Sequence, residues 1–540
     1  MTKKLMRGLV PVMVLSAAVA LFTGCGSKDS GADSKPAGDS KETTAEAGKD
    51  SGSKGTSSKD TLIIATANET PSVTTNLHNA TAGDYINQMT HEGLFTSSVD
   101  LTPQPALAES YEIVSDTEWV FKLRQGVKFH NGQEVKAADV KASLELCKES
   151  PQVSQYGDAV ESVEVIDDYT VKITTNGPHS GLLTDLSHHG NAILPADLIA
   201  SGHDFNKEPI GTGPYKFVAW NKGESIELEA NEDYWGGAPA IKTVETVLIA
   251  ESSQAQIELE NGNIDWVTGP DNMDIARIQS GSVSGLKTME MPAALVKNIW
   301  FNFRSEPMRD VNVRKAINCA IDKEAIIAVA YGGSATVANQ KIANNNGAYD
   351  PAYDENPMYP YDIELAKEYL SKSAYPEGLK LTIYSDTTPA EVHILECVKN
   401  DLAKIGIEVK IFNLDSNVAV PTLIAGEEDD MYAAIGCTSV GYAPGYLKNC
   451  SPDMVPNWGA WPLVECDEAI NDLYVKSLAT TDVDECNKLV KEAIRLELEN
   501  AMSVPVCYPI SYMTCSEKLQ GVTINGGNCT FLLADAYFEG

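Results

Sequence analysis

The chain has 540 residues, 41 basic and 76 acidic side chains, a formal net charge of -35 and 43% hydrophobic residues. Single cores stop growing near roughly 250–300 residues, so several domains are expected, and the apolar content excludes wholesale disorder. The acidity excludes a nucleic-acid binder, whose affinity rests on Lys and Arg neutralising phosphates, and disfavours an anionic membrane surface.

Lys3, Lys4 and Arg7 precede an apolar run from Leu9 to Phe22. That run is shorter than the roughly 17–25 residues of a membrane span, so residues 1–24 read as a signal peptide. Thr23-Gly24-Cys25 resembles the lipobox of bacterial lipoproteins, with Phe22 standing where Leu is usual. The resemblance implies that the Cys25 thiol is lipidated and becomes the N-terminus. Gly26 to Asp60 contains no aromatic or large aliphatic residue. It lacks the apolar surface to offset its ordering entropy, so residues 25–60 read as a tether. From Thr61 onward there remain 32 basic and 69 acidic residues, a net of -37.

Short alternating strands dominate from Thr61 to about residue 290. Trp119, Phe121 and Leu123 alternate with polar neighbours; Val163 and Val165, then Val171 and Ile173, flank a turn at Asp167-Asp168. Ala137, Val140, Leu144 and Cys147 recur at helical spacing and predict a helix over 137–148. His130 lies beside an Asn-Gly turn and reads as a surface residue of a hairpin.

The second half is different. Asp310 and Asp322 are placed to cap successive helices, the second ending at Gly332-Gly333. Leu379, Leu381 and Ile383 alternate as a strand; Thr388-Pro389-Ala390-Glu391 reads as a capping box; Val392, Leu395, Val398 and Leu402 form a stripe closed by Gly406; Ile407, Val409 and Ile411 alternate again. This is a β-α-β unit with parallel strands, and Met431 to Gly436 adds another strand. Ligands of open α/β sheets bind beyond the carboxyl ends of strands, which directs attention to Ser385-Asp386-Thr387 and to Cys437–Pro444. Either segment is equally readable as an ordinary connecting loop.

Cys147 and Cys319 fall on apolar helix faces and read as core. The denser cysteines from Cys437 to Cys529 leave room for a disulfide or two, and there is no C-x-x-C pair. The chain also lacks G-x-S-x-G and H-E-x-x-H, so no enzyme and no cofactor are expected.

The stretch Trp119-Val120-Phe121-Lys122-Leu123-Arg124-Gln125-Gly126-Val127-Lys128-Phe129-His130-Asn131-Gly132 looks like a family signature. Gly211-Thr212-Gly213-Pro214-Tyr215, Asn231-Glu232-Asp233-Tyr234-Trp235, Glu260-Asn261-Gly262-Asn263-Ile264-Asp265 and Val311-Asn312-Val313-Arg314-Lys315-Ala316-Ile317 follow in order. Together they resemble the extracellular solute-binding proteins, family 5, which deliver peptides, nickel complexes and similar ligands to ABC importers. The resemblance implies an α/β, two-lobed periplasmic-binding-protein type II (Venus-flytrap) fold. Lobe I would comprise 61–98, 191–290 and 509–540, with an insertion subdomain over 99–190; lobe II would span 291–508. It also implies a monomeric receptor on the outer face of the bacterial cytoplasmic membrane, feeding a separate permease and ATPase with a small, peptide-like solute.

The chain departs from the peptide-binding pattern. Cys437 stands where those members carry Trp, Val440 where an Asp meets the peptide ammonium, Ala443 at a second acidic position, and Ser385 where dipeptide binders place a carboxylate-holding Arg. Unpaired charges at both termini of a dipeptide would be costly, though longer peptides held through their backbones remain open. Candidate ligand contacts are therefore Asn68, Glu69 and Thr70 after the first strand, His188 and His189, Ser385 and Asp386, then Cys437, Thr438, Ser439, Tyr442 and Trp458. Glu69 is either a substitute ammonium partner or a solvated surface acid. The paired histidines suggest metal, but neighbours on a strand point to opposite faces, so no metal is expected.

Overall fold

The computed structural model describes residues 59–78, 81–291, 295–414, 430–437, 442–450, 467–526 and 530–540, with isolated positions 418 and 422. Three sheets organise them, each with its own apolar core.

The first has seven strands in the order Leu286–Met291, Ser511–Ser516, Trp266–Val267, Thr61–Thr66, Thr243–Leu248, Ser225–Ala230, Tyr215–Asn221. Thr61–Thr66 runs parallel to both neighbours, and the remaining pairs are antiparallel. Its core gathers Leu62, Ile64, Tyr215, Leu228, Trp266 and Phe531. The second sheet is antiparallel, in the order Ala108–Ile113, Glu118–Leu123, Thr170–Thr175, Val160–Asp167. Trp119, Phe121, Leu123, Val171 and Ile173 face inward as their alternation requires. Val165 is exposed. The helix Ala137–Glu149 covers this sheet with Ala137, Val140, Leu144 and Cys147 buried.

The third sheet has six strands in the order Ala335–Val337, Ser503–Pro509, Leu295–Phe301, Met431–Cys437, Leu379–Asp386, Ile407–Leu414. Leu379–Asp386 and Ile407–Leu414 are parallel, joined by the helix Pro389–Ala403, as the β-α-β reading requires. Asp310 and Asp322 cap their helices by accepting from Asn312 N and Ala325 N. Gly406 adopts φ +84 directly before its strand, a conformation that L side chains avoid.

The capping box at Thr388 does not form. The Thr388 side chain makes no cap bond, and Glu391 turns inward instead of back toward the helix start. Ile394 is fully buried and Val392 only half-buried, so the stripe is offset from its expected line. His130 is also deeper than a surface residue: its Nε2 lies 3.0 Å from the Gly213 carbonyl, and burial lowers its pKa to about 4.

The chain passes between the seven- and six-stranded sheets twice, near Met291–Leu295 and Pro509–Ser511. The two passages are adjacent, because Met291 pairs with Ser511 on one side and Lys297 with Cys507 on the other. Among the described residues no helix is long and apolar enough to cross a membrane. Cys147, Cys319, Cys397, Cys486, Cys507 and Cys515 are free thiols.

Candidate functional site

Tyr442 makes one contact between the antiparallel subdomain and the six-stranded half. Its ring lies against Gly181, where an added Cβ would stand 2.7 Å from the ring, and its hydroxyl is 3.4 Å from Ser180 Oγ. His179 meets the same ring edge-on, with centroids 5.5 Å apart. Burial raises the phenol pKa, so Tyr442 acts as a neutral, packed group.

Beside this contact lies a cavity of about 390 Å³, walled from one side by Tyr111, Trp119 and Thr184 and from the other by Gly347, Pro444 and Asn487. Aromatic faces with a few amide and hydroxyl groups suit a small organic solute, and the volume is within the range of about 300–1,000 Å³ typical of ligand sites.

Ser385 is buried, with Oγ between Glu391 Oε2 (2.8 Å) and the Ala433 carbonyl (2.9 Å). Glu391 in turn receives Lys297, whose side chain is completely shielded. Burial lowers the Lys297 pKa, while Glu391 opposes that shift. Ser385 thus belongs to an interior polar network, and the cation beside it is Lys297. The visible signal was one lysine, followed by Asn298, inside the otherwise apolar strand Leu295–Phe301. Asp386 accepts from Thr388 N at 2.9 Å and shapes the loop.

Asn68 and Glu69 are exposed, and Glu69 Oε1 accepts from Gly223 N at 2.7 Å, tying the first strand's exit to the turn before Ser225–Ala230. Thr70 is buried and donates to the Ser72 carbonyl. The backbone of Cys437 pairs with Leu295 at the strand end. Thr438, Ser439, Val440, Trp458 and Cys25 lie outside the described residues.

His188 and His189 are both buried, with ring centroids 4.1 Å apart, but bond different partners. His188 stacks on Tyr156 (centroids 3.5 Å) and accepts from Gly190 N, whereas His189 turns toward His78 and Asp84. Neither touches the cavity beside Tyr442; both line a smaller one of about 170 Å³ with Asn87, His91 and Trp235.

The recurrent motifs converge on one buried carboxylate. Glu92 accepts from Thr212 Oγ1, Tyr234 OH and Trp235 Nε1 at 2.8–2.9 Å, and Arg124 stacks over Trp235. A Cβ on Gly211 would come within 2.1 Å of the Thr90 carbonyl, so the glycine turn serves close packing here.

Two α/β halves joined by two adjacent strands, with an added antiparallel subdomain, define a two-lobed periplasmic-binding-protein type II fold. The chain belongs to the bacterial extracellular solute-binding proteins, family 5, whose middle-region model matches residues 102–453. It is 31% identical to the glutathione-binding protein GsiB of Pectobacterium atrosepticum over 60% of this chain and 64% of that protein, slightly under two thirds of its length. It is 29% identical to di/tripeptide-binding protein 2 of Pseudomonas aeruginosa over 77% and 83% of the two chains. Among solved structures, the periplasmic binding protein DppA of Helicobacter pylori in complex with the peptide STSA superposes with a TM-score of 0.72 at 26% identity, covering 89% of this chain and 99% of that one.

Proposed function

We propose that this chain is the lipid-anchored, extracytoplasmic receptor of an ABC importer. It encloses a peptide or peptide-like solute between two lobes and passes it to a separate permease and ATPase. The observation that carries the reading is the cavity beside Tyr442, walled by the antiparallel subdomain on one side and the six-stranded half on the other, where one aromatic ring already bridges them. Lobe I then comprises 61–98, 191–290 and 509–540, the insertion 99–190, and lobe II 291–508, with the hinge at the two adjacent passages. Closure about such a hinge exposes one surface for the permease only when cargo is present. Cys25 supplies the anchor, residues 25–60 the tether, and the receptor works as a monomer.

Relatives named for glutathione, for di- and tripeptides and for a bound peptide support the solute class. The absence of a charged anchor at Ser385 and Val440 favours cargo held through backbone groups, or a re-specialised non-peptide solute or metal complex as the second reading. Native mass spectrometry of protein purified without added ligand, followed by denaturing release, tests both. A ladder of masses that fragment as peptides supports the first; one recurring non-peptide mass supports the second.

A further inference from the structure

His78, Asp84 and His189 are all buried, and one ligating atom from each lies within 4.8 Å of the other two. His189 Nε2 is 3.1 Å from the His78 carbonyl, an oxygen that only accepts, so Nε2 carries a proton. Its other nitrogen, Nδ1, lies 2.6 Å from Asp84 Oδ1, yet the two are out of line for a hydrogen bond, and neither makes one elsewhere. An imidazole held at one nitrogen by a backbone carbonyl, with its second nitrogen facing a buried carboxylate, is the arrangement of a metal-bound histidine. Two buried acceptors facing each other without a proton or cation between them would repel.

We infer that His78, Asp84 and His189 form a site for a divalent transition-metal ion of the zinc class. Two imidazoles and a carboxylate suit such an ion, and tetrahedral bonds of about 2.0–2.2 Å would widen the 2.6 Å between Nδ1 and Oδ1 by roughly 0.7–1 Å. The adjoining cavity of about 170 Å³ has room for a water as further ligand. Its walls come from residues 87–235 and 532–534, with none from the six-stranded half, so the ion is distinct from cargo between the lobes. Asp84 lies on the helix Thr81–Thr90, and His189 opens the turn His189–Asn191 where the chain returns from the antiparallel subdomain. The ion therefore staples the subdomain to the body of its lobe.

The test is titration of the full chain, stripped by chelator, with Zn²⁺ by calorimetry and with Co²⁺ by visible absorption. One Zn²⁺ per chain is expected, with a Co²⁺ spectrum free of thiolate charge transfer. Asp84→Asn and His189→Gln should each weaken Zn²⁺ at least about tenfold, while His203→Gln, which touches none of the three ligands, leaves it unchanged. Absence of stoichiometric binding, or binding indifferent to both variants, overturns the site. Should either variant fail to fold, X-ray absorption of the zinc-loaded native chain decides: imidazole scattering supports the site, and a shell without imidazole rejects it.

Discussion

Lys297 and Glu391 meet inside the six-stranded half, the lysine fully shielded and the carboxylate sharing its second oxygen with Ser385. A buried pair is weak evidence of net stability, but removing one partner strands a charge. Glu391→Ala should therefore cost about 3–5 kcal/mol in urea unfolding. The double replacement Lys297→Met with Glu391→Leu should recover most of that loss. A double variant no more stable than Glu391→Ala alone would show that the damage lies in packing.

Gly181 has no side chain because the Tyr442 ring occupies that space. Gly181→Val should push the two halves apart and weaken the natural cargo by about tenfold, or about 1.4 kcal/mol. Adding Tyr442→Ala should restore part of the affinity. Unchanged affinity in Gly181→Val, measured by calorimetry with the released cargo, would place closure elsewhere.

Burial lowers the pKa of His91 from 6.5 to about 3 and of His130 to about 4. The folded chain keeps them neutral while the unfolded chain takes up protons below about pH 6.5. Their contribution is thus complete above pH 6.5 and is lost as pH falls toward the folded values. For His91 the slope is up to about 1.4 kcal/mol per pH unit. Urea midpoints should decline from pH 6.5 to 5, and His91→Gln should flatten that decline.

Val440 occupies the position at which peptide-binding relatives are expected to hold the ammonium group. Val440→Asp should create or improve affinity for free α-amines, read by calorimetry with short peptides. No gain for any peptide would show that the loop does not align as proposed.

The two-lobed class was legible through the family resemblance of the ordered motifs, while the strand alternation at Trp119–Leu123, the caps at Asp310 and Asp322 and the β-α-β unit at 379–412 formed where the local pattern placed them. Each is set within one element or between elements adjacent along the chain, where periodicity and side-chain caps suffice. The capping box failed for a non-local reason: Glu391 bonds Lys297, 94 residues away, and no spacing rule sees that partner.

Candidate contacts followed the same division. Tyr442 was readable as an aromatic wall, but only the tertiary structure showed it against Gly181 and Ser180. Strand alternation did not apply to His188 and His189, which lie at a short helical turn with their rings 4.1 Å apart, and it is silent on Asp84, which the helix Thr81–Thr90 carries to His189. By itself the sequence determined the acidity, the repertoire of strands and helices and, through ordered motifs, the family. Which polar side chains share a buried volume was decided by tertiary packing, because burial and partner choice depend on elements that meet only after the chain has folded.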